Sequence, residues 1–230
     1  DAVYPLPALL DRKSTSGIYN WASQYQQNPV LSETQEFKEQ YFRYFEEKDL
    51  KGLDLRYTTT IDPAISQKQE ADNTVVLTIA KEVGGPNWYR IREDAGKFTP
   101  KEIVEIIFKH QDLYSSEIYI ETVAFQKFLK YAVQEEQKAR EVYFPVREIK
   151  SRNSKEYRIK QLVGLYQNGI IFHRRNIDDD YELEALHFPK GRRDDRLDAM
   201  AMQLEAVKNT KLNKKIKSTI HKYCGYFRRK

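Results

Sequence analysis

The order in which strand-like and helix-like hydrophobic patterns follow one another along the chain limits the possible folds more than any other feature. Three consecutive segments are rich in β-branched and aromatic residues, which favour strands, and they lie over Leu55–Asp62, Thr74–Lys81 and Asn87–Arg92. Beyond them, segments with helical spacing alternate with short extended runs as far as residue 207. The first three strands predict an antiparallel meander, and the later alternation predicts parallel strands with helices on both faces. We therefore expect an α/β protein with a mixed sheet flanked by helices.

The later elements are marked by local signals. Thr99, Pro100 and Glu102 form a capping box with proline at the first helical position, so a helix should begin there. Tyr119 and Glu121 lie two residues apart in a short strand-like run, in which side chains point alternately to the two faces, so they share one face. By the same reasoning we expect strands at 117–121, 142–146 and 170–173, and helices from 124, after 154, at 181–187 and at 194–207.

Charge and periodicity divide the chain into three parts. In residues 31–50 the aromatic residues Phe37, Tyr41 and Phe45 repeat every four positions, which predicts a helix. Residues 208–230 contain nine Lys or Arg and no acidic residue, whereas residues 1–207 contain 30 basic and 34 acidic residues. We predict a linker and helix over 1–54, a folded domain over 55–207 and a basic tail over 208–230. Since the chain begins at Asp1 without methionine, we expect it to be a fragment or a processed product.

Acidic residues stand at the ends of three predicted elements. Asp62 ends the first strand, Glu121 ends the fourth, and Asp194, Asp195 and Asp198 open the last helix. At about 100° per residue, Asp195 and Asp198 lie roughly 100° and 40° from Asp194, at the edge of the apolar stripe of that helix. If the stripe packs on the sheet, the acids of its first turn can reach the strand ends.

Clustered carboxylates are the ligands that hard divalent cations prefer. Two Mg²⁺ or Mn²⁺ ions about 4 Å apart can flank a phosphodiester, one activating water and the other stabilising the leaving oxygen. The one cysteine and four scattered histidines show no metal-ligand spacing, which excludes a cysteine-rich metal site. Taken singly, each acid also suits a structural role: Asp194 as a helix cap, Asp62 as a turn residue before Pro63, and Glu121 as a solvated residue.

Three segments resemble one protein family. Thr60-Ile-Asp62-Pro-Ala64, Ile118-Tyr-Ile-Glu121 and Phe188-Pro-Lys-Gly-Arg-Arg-Asp-Asp-Arg-Leu-Asp198-Ala199 resemble the C-terminal nuclease domain of tailed-bacteriophage large terminase subunits. Trp21-Ala-Ser-Gln-Tyr-Gln-Gln-Asn-Pro29 resembles the end of that family's ATPase domain. The likeness spans nearly the whole chain. It implies an RNase H-like fold and a metal-dependent endonuclease that cuts concatemeric double-stranded viral DNA during genome packaging.

The resemblance also implies roles for individual residues. Asp62 matches the first metal ligand and Glu121 the second, and the third ligand maps to Asp194, Asp195 or Asp198, with Asp195 favoured over Asp198. The expected catalytic residues are thus Asp62, Glu121, Asp195 and Asp198, and the expected cofactor is two Mg²⁺ or Mn²⁺ ions. The family further implies portal and small-terminase partners, and a location in the host cell cytoplasm as part of the packaging motor.

Two absences narrow the activity expected of this chain. The phosphate-binding pattern Gly-x-x-x-x-Gly-Lys-Ser/Thr is missing, so we expect no ATP hydrolysis. The mean hydropathy of −0.76 and the lack of a long uncharged apolar run predict no membrane span.

Basic residues supply candidate contacts to DNA. Lys190, Arg192 and Arg193 are favoured because they abut the acidic cluster, and further candidates are Arg90, Arg92, Lys150, Arg152, Lys155, Arg158, Arg174 and Arg175. Two other functions fit the same residues. One is a different RNase H-like nuclease, such as a junction resolvase or a transposase-type enzyme. The other is a non-catalytic DNA-binding module whose acids are helix caps.

Overall fold

Seven strands form one mixed sheet. The structure is a computed structural model, and it describes residues 35–63, 73–121, 124–149, 153–175 and 177–208. The strands are β1 (Arg43–Phe45), β2 (Leu55–Asp62), β3 (Thr74–Glu82), β4 (Trp88–Gly96), β5 (Glu117–Glu121), β6 (Val146–Ile149) and β7 (Ile171–Arg174). Across the sheet their order is β1-β7-β4-β3-β2-β5-β6. The β2–β3–β4 meander is antiparallel and every other neighbouring pair is parallel, which confirms the predicted sheet.

Five helices surround the sheet in the described part of the chain. They are α1 (Pro100–Tyr114), α2 (Ala124–Arg140), α3 (Lys155–Gln167), α4 (Asp179–His187) and α5 over 195–208. The predicted capping box is present at α1, where the Thr99 hydroxyl accepts from the Glu102 N–H and the Glu102 carboxylate accepts from the Thr99 N–H. No helix among these residues is long and apolar enough to cross a membrane.

The helices cover both faces of the sheet. On one face, α1 and α2 pack Ile103, Ile107 and Leu129 against Ile118 and Ile120 of β5. The opposite face carries α3, α4 and α5, whose buried side chains include Ile159, Leu162, Tyr181, Leu186, Leu197 and Met200. Since strand residues alternate in direction, Tyr119 turns away from its neighbours and packs with Met202 and Ala206 of α5.

The helix predicted over residues 31–50 is wrong for the part that the structure describes. Residues 35–50 contain two 3-10 turns, Glu39–Tyr41 and Glu47–Leu50, with β1 between them. The aromatic residues of the pattern are indeed buried at Phe37 and Phe45, but β1 is held by parallel pairing with β7, a long-range contact that local periodicity does not register. The sheet therefore includes residues that precede Leu55.

The predicted fifth strand starts four residues too early and ends three residues too early. Val142 and Tyr143 are exposed, and the ladder with β5 runs from Val146 to Ile149. Pro145 has no N–H to contribute to a ladder, so pairing begins after it. The Trp21–Pro29 segment and residues 209–230 of the basic tail lie outside the described residues.

A buried amide holds α5 against β2. The Gln203 side-chain oxygen accepts from the Thr58 hydroxyl at 2.7 Å, and its nitrogen lies 3.0 Å from both Thr60 Oγ1 and the Leu77 carbonyl oxygen. The Thr60 hydroxyl also donates to the Ala199 carbonyl oxygen at 2.9 Å. These bonds fix the position of α5 over the strand that ends at Asp62.

Candidate metal centre

Two neighbouring parallel strands bring Asp62 and Glu121 to the same edge of the sheet. Ile61 pairs with Ile120, so the next residue of each strand, Asp62 or Glu121, lies at adjacent carboxyl ends. Thr60, two residues before Asp62, faces α5, and so does Tyr119, two residues before Glu121. By strand alternation, both acids are directed to the α5 side of the sheet.

The first turn of α5 supplies the other carboxylates. Asp195 and Asp198 are only 2% and 4% exposed, although both are acidic. An oxygen of Asp195 accepts from the Asn73 N–H at 2.9 Å, next to the start of β3. The Leu197 N–H, which a helix start leaves without an intrahelical partner, donates to Glu184 Oε1 of α4 at 2.8 Å. The acids of this turn are therefore held in place by contacts from β3 and α4.

Arg158 of α3 joins the strand acids to the helix acids. Its Nη1 donates to Glu121 Oε1 at 2.6 Å, and its Nη2 lies 2.7 and 2.8 Å from the two carboxylate oxygens of Asp198. The arginine itself is 7% exposed. One guanidinium thus links the end of β5 to the start of α5 through short charge-assisted hydrogen bonds.

Lys155 lies one helical turn before Arg158 and closes the other side of the cluster. Its Nζ is 2.7 Å from Asp194 Oδ1, 3.7 Å from Asp195 Oδ1 and 4.0 Å from Asp198 Oδ2. The neighbouring carboxylates raise the pKa of this ammonium against the effect of its partial burial. Lys155 is therefore a fixed positive charge of the site.

Burial and, to a smaller extent, the crowding of negative charge act on the protonation of Asp62. Burial, together with the nearby carboxylates of Asp198 and Glu121, raises the pKa of Asp62 to about 7. Burial likewise raises the pKa of Asp198, against the lowering effect of Arg158 and Lys155. Arg158 contacts acids of both β5 and α5, and the charges of Glu121, Asp195 and Asp198 act on Asp62, so these acids lie in one neighbourhood at the end of the sheet.

The donor set suits a hard divalent cation, since every candidate ligand is a carboxylate. As the side chains stand, however, no three Asp, Glu, His or Cys residues in the described ranges are close enough together to hold an ion. Arg158 and Lys155 lie between the acids instead. Which of Asp62, Glu121, Asp194, Asp195 and Asp198 bind metal, and which act in catalysis, stays a prediction.

The predicted DNA contacts fall into two groups. Lys190, Arg192 and Arg193 are exposed in the loop between α4 and α5, beside the acidic cluster, and make no ion pair with another described residue. Arg90, by contrast, is buried at 1% exposure and paired with Glu93 and Asp178, so it cannot reach DNA.

The remaining candidates are also engaged within the protein or lie outside the described residues. Arg92 pairs with Asp94 and Arg174 pairs with Glu47, while the Arg175 guanidinium lies over the Tyr44 ring. Lys155 and Arg158 contact the acids, as described above. Lys150 and Arg152 are outside the described ranges.

Sequence reasoning missed the cations of the site and the residues that support it. Lys155 and Arg158 were predicted only as contacts to the DNA backbone, yet their spacing of three places both on one face of α3, directly after the Ser154 cap. That spacing was the sequence signal from which their shared face could have been predicted. Nothing in the sequence around Glu184 or Gln203 indicates that either residue would meet α5 or β2, because both contacts join distant segments.

Comparison with known proteins places the fold. No protein-family model matches the chain, and no curated protein matches its sequence. Among solved structures, the human cytomegalovirus terminase nuclease domain, soaked with Mn and with inhibitor bound, matches with a TM-score of 0.52 and 11% identity, covering 73% of this chain and 92% of that one. Another structure of that domain matches with a TM-score of 0.49 and 14% identity, over 70% and 87% of the two chains.

A bacteriophage protein also appears among the matches. The large terminase nuclease domain of Thermus phage P74-26 gives a TM-score of 0.46 and 15% identity, over 70% of this chain and 87% of that one. The likeness to the cytomegalovirus domain establishes the fold of the chain. The RNase H-like mixed sheet flanked by helices, predicted from the sequence, is confirmed.

Proposed function

We propose that this chain is a metal-dependent endonuclease that cuts concatemeric double-stranded viral DNA during genome packaging, by two-metal-ion hydrolysis of the phosphodiester bond. The observation that supports this most strongly is the gathering of Asp62, Glu121, Asp195 and Asp198 around one end of the sheet, in a fold shared with a terminase nuclease domain. Arg158 joins Glu121 to Asp198, and Lys155 Nζ lies within 4.0 Å of Asp194, Asp195 and Asp198, so acids from separate elements meet in one place.

The residues that would hold the two Mg²⁺ or Mn²⁺ ions are Asp62, Glu121 and the acids of α5, with Asp195 favoured over Asp198 and Asp194. When bound, such ions lower the pKa of a water molecule and stabilise the leaving oxygen. The protein's own part is to place the carboxylates on strand ends and on the first turn of α5. Gln203 keeps α5 against β2, and Glu184 and Asn73 hold the first turn of α5, which carries Asp195 and Asp198.

Exposed cations beside the acids would orient the DNA. Lys190, Arg192 and Arg193 form a positive loop at the start of α5, and phosphate contacts of this kind position a duplex without reading its bases. We therefore infer weak sequence specificity. As part of a larger packaging protein, the chain would work with a portal and a small terminase subunit in the host cytoplasm.

Cleavage of supercoiled plasmid tests the proposal. The full chain should nick and linearise plasmid when Mn²⁺ or Mg²⁺ is present, and EDTA should stop the reaction. Asp62→Asn and Glu121→Gln should each lower the cleavage rate by at least about a hundredfold, because each removes a charged ligand. Asp54→Asn is the matched control, since Asp54 is an exposed carboxylate just before the opposite end of β2, and its rate should be unchanged.

The outcomes separate the proposed function from its rivals. Full cleavage by Asp62→Asn in Mn²⁺ would contradict the assignment of the site. A marked preference for four-way junctions over linear duplex would indicate a resolvase-like enzyme. The absence of any metal-dependent nicking, together with no thermal shift in Mn²⁺, would indicate a non-catalytic DNA-binding module.

A further inference from the structure

Two positive side chains of α3 lie among the predicted metal ligands. The Ser154 hydroxyl caps the helix by accepting from the Tyr157 N–H, and the first turn then directs Lys155 and Arg158 to one face. Arg158 contacts Glu121 and Asp198 at 2.6–2.8 Å, which are the distances of strong charge-assisted hydrogen bonds. The guanidinium contacts acids from β5 and α5. A metal ion shared by these acids would have to contact the same two elements.

The two cations differ in depth. Arg158 is 7% exposed and meets Asp198, which is 4% exposed, so their contact is shielded from water. The Lys155 side chain is 36% exposed and lies nearer the solvent, against Asp194. Shielding strengthens the attraction between Arg158 and its acids, and equally strengthens its repulsion of any other positive ion brought to the same oxygens.

We propose that Arg158 competes with the divalent cation for Glu121 and Asp198, so that this guanidinium sets the metal affinity of the site. The inference rests on the proposed function. An ion that binds Glu121 and Asp198 together must take up oxygen atoms that Arg158 now engages, and the guanidinium must withdraw from at least one of them. Removing the competing charge therefore strengthens metal binding, even though it also removes a contact that holds the acids.

The test measures Mn²⁺ binding to the full chain without DNA, by isothermal titration calorimetry and by electron paramagnetic resonance of the free ion. Arg158→Gln should bind Mn²⁺ at least about tenfold more tightly than the wild type, because a buried positive charge a few ångströms from the ion is gone. The matched control is Arg140→Gln, which removes the same charge from α2 on the other face of the sheet, where it pairs with Glu105 and Glu136. Its affinity should stay within about twofold of the wild type, since salt screens distant charges.

Stability gives a second readout. Without metal, Arg158→Gln should melt at a lower temperature than the wild type, because Glu121 and Asp198 lose this partner. Saturating Mn²⁺ should raise its melting temperature by more than it raises that of the wild type, since tighter binding stabilises the folded state more. Circular dichroism establishes that the variant is folded before affinities are compared.

Equal or weaker Mn²⁺ binding by folded Arg158→Gln would overturn the inference and make Arg158 a residue that only orients the acids. If Arg158→Gln does not fold, Arg158→Met decides instead. It removes the charge and keeps a long apolar side chain that can pack in the same place, so it should bind Mn²⁺ more tightly than the wild type, and unchanged or weaker binding would overturn the inference. A wild-type chain that binds no Mn²⁺ and cleaves no plasmid defeats the proposed function. Binding and cleavage by the wild type with unaltered affinity in Arg158→Gln defeats only the inference.

Discussion

At the scale of single residues, Gln203 of α5 supports the candidate site without being one of its acids. Its side-chain nitrogen reaches Thr60 Oγ1 and the carbonyl oxygens of Thr58 and Leu77, and its oxygen accepts from the Thr58 hydroxyl. The residue is fully buried, so water cannot replace these bonds. The amide thereby joins the helix that carries Asp198 to the strand that carries Asp62.

We predict that Gln203→Leu lowers the free energy of unfolding by about 2–4 kcal/mol, because buried hydroxyl and carbonyl groups lose their partner. Urea denaturation measures the change. Gln134→Leu is the control, since Gln134 is exposed on α2, and its free energy should change by less than about 0.5 kcal/mol. A loss as small as the control's would show that the amide bonds contribute little.

Another buried chain of polar side chains looks catalytic but is structural. Asp94 contacts His110 at 2.7 Å, His110 contacts Thr78 at 2.7 Å, and Thr78 contacts Thr59 at 2.6 Å. An acid, an imidazole and a hydroxyl in sequence suit nucleophilic catalysis, yet both Thr78 and His110 are fully buried and no substrate can reach the hydroxyl. These hydrogen bonds instead hold α1 against the β2–β3–β4 meander.

At the scale of elements, β7, α3 and α4 meet through a network of neutral groups. Burial raises the pKa of Glu182 to about 8 and lowers the pKa of His173 to about 3. A protonated Glu182 can donate to His173 Nδ1, and His173 Nε2–H can donate to Tyr166, whose hydroxyl donates to Tyr181. The Tyr44 hydroxyl donates to the other oxygen of Glu182. Each of these hydrogen bonds has one donor and one acceptor when both Glu182 and His173 are uncharged.

Within this network, the Glu182 carboxyl contributes stability that is lost as the pH rises. Between the usual pKa of Glu182, 4.5, and its raised value of about 8, the folded chain binds more protons than the unfolded chain, so the free energy of unfolding falls with increasing pH. The stabilisation is complete below pH 4.5 and is lost as the pH passes 8. Glu182→Gln puts a neutral amide in the same place. We expect it to reduce this fall in the free energy of unfolding by a few kcal/mol.

Chemical denaturation at pH 6 and pH 9 measures the effect. Glu156→Gln is the control, because Glu156 is exposed on α3 and should leave the pH dependence as in the wild type. A Glu182→Gln chain that loses as much stability at pH 9 as the wild type would contradict the assignment of the titrating group.

The elements that the sequence predicts well are those that local chemistry determines. The limits of β2 and β5 and the Thr99 cap of α1 were predicted to the residue, because strand alternation and capping are short-range properties. β1 was mistaken for part of a helix because its three residues depend on β7, more than a hundred positions away. The acids of the site could be predicted because they stand at the ends of strands and at the start of a helix. The pairing of Arg158 with Glu121 depends on how α3 lies against β5, which no local pattern reveals.

At the scale of the whole molecule, charge is distributed unevenly around the site. The acidic cluster lies beside the exposed loop of Lys190, Arg192 and Arg193, and the mildly acidic body is followed by nine basic residues in 208–230. A polyanion approaching this end of the sheet meets the exposed positive loop beside the acids. Binding to DNA should therefore depend strongly on salt, since counterions are released from the phosphates.

We predict that replacing both Arg192 and Arg193 by Ala weakens duplex binding and lowers the slope of log affinity against log salt concentration by about 2, one for each lost phosphate contact. Fluorescence anisotropy with a labelled duplex at several salt concentrations measures the slope. In the control variant, both Lys138 and Arg140 of α2 are replaced in the same way. This removes an equal charge from the other face of the sheet. An unchanged slope in the Arg192 and Arg193 variant would exclude the loop from the DNA interface.

The order in which the acids occur along the chain has a consequence for its synthesis. Asp62 and Glu121 leave the ribosome before Asp195 and Asp198, which belong to α5, and the Gln203 anchor comes later still. A growing polypeptide therefore holds only half of these four carboxylates until residue 198 has been translated. The full set of acids can assemble only after α5 has been made and its Gln203 side chain has bonded to β2.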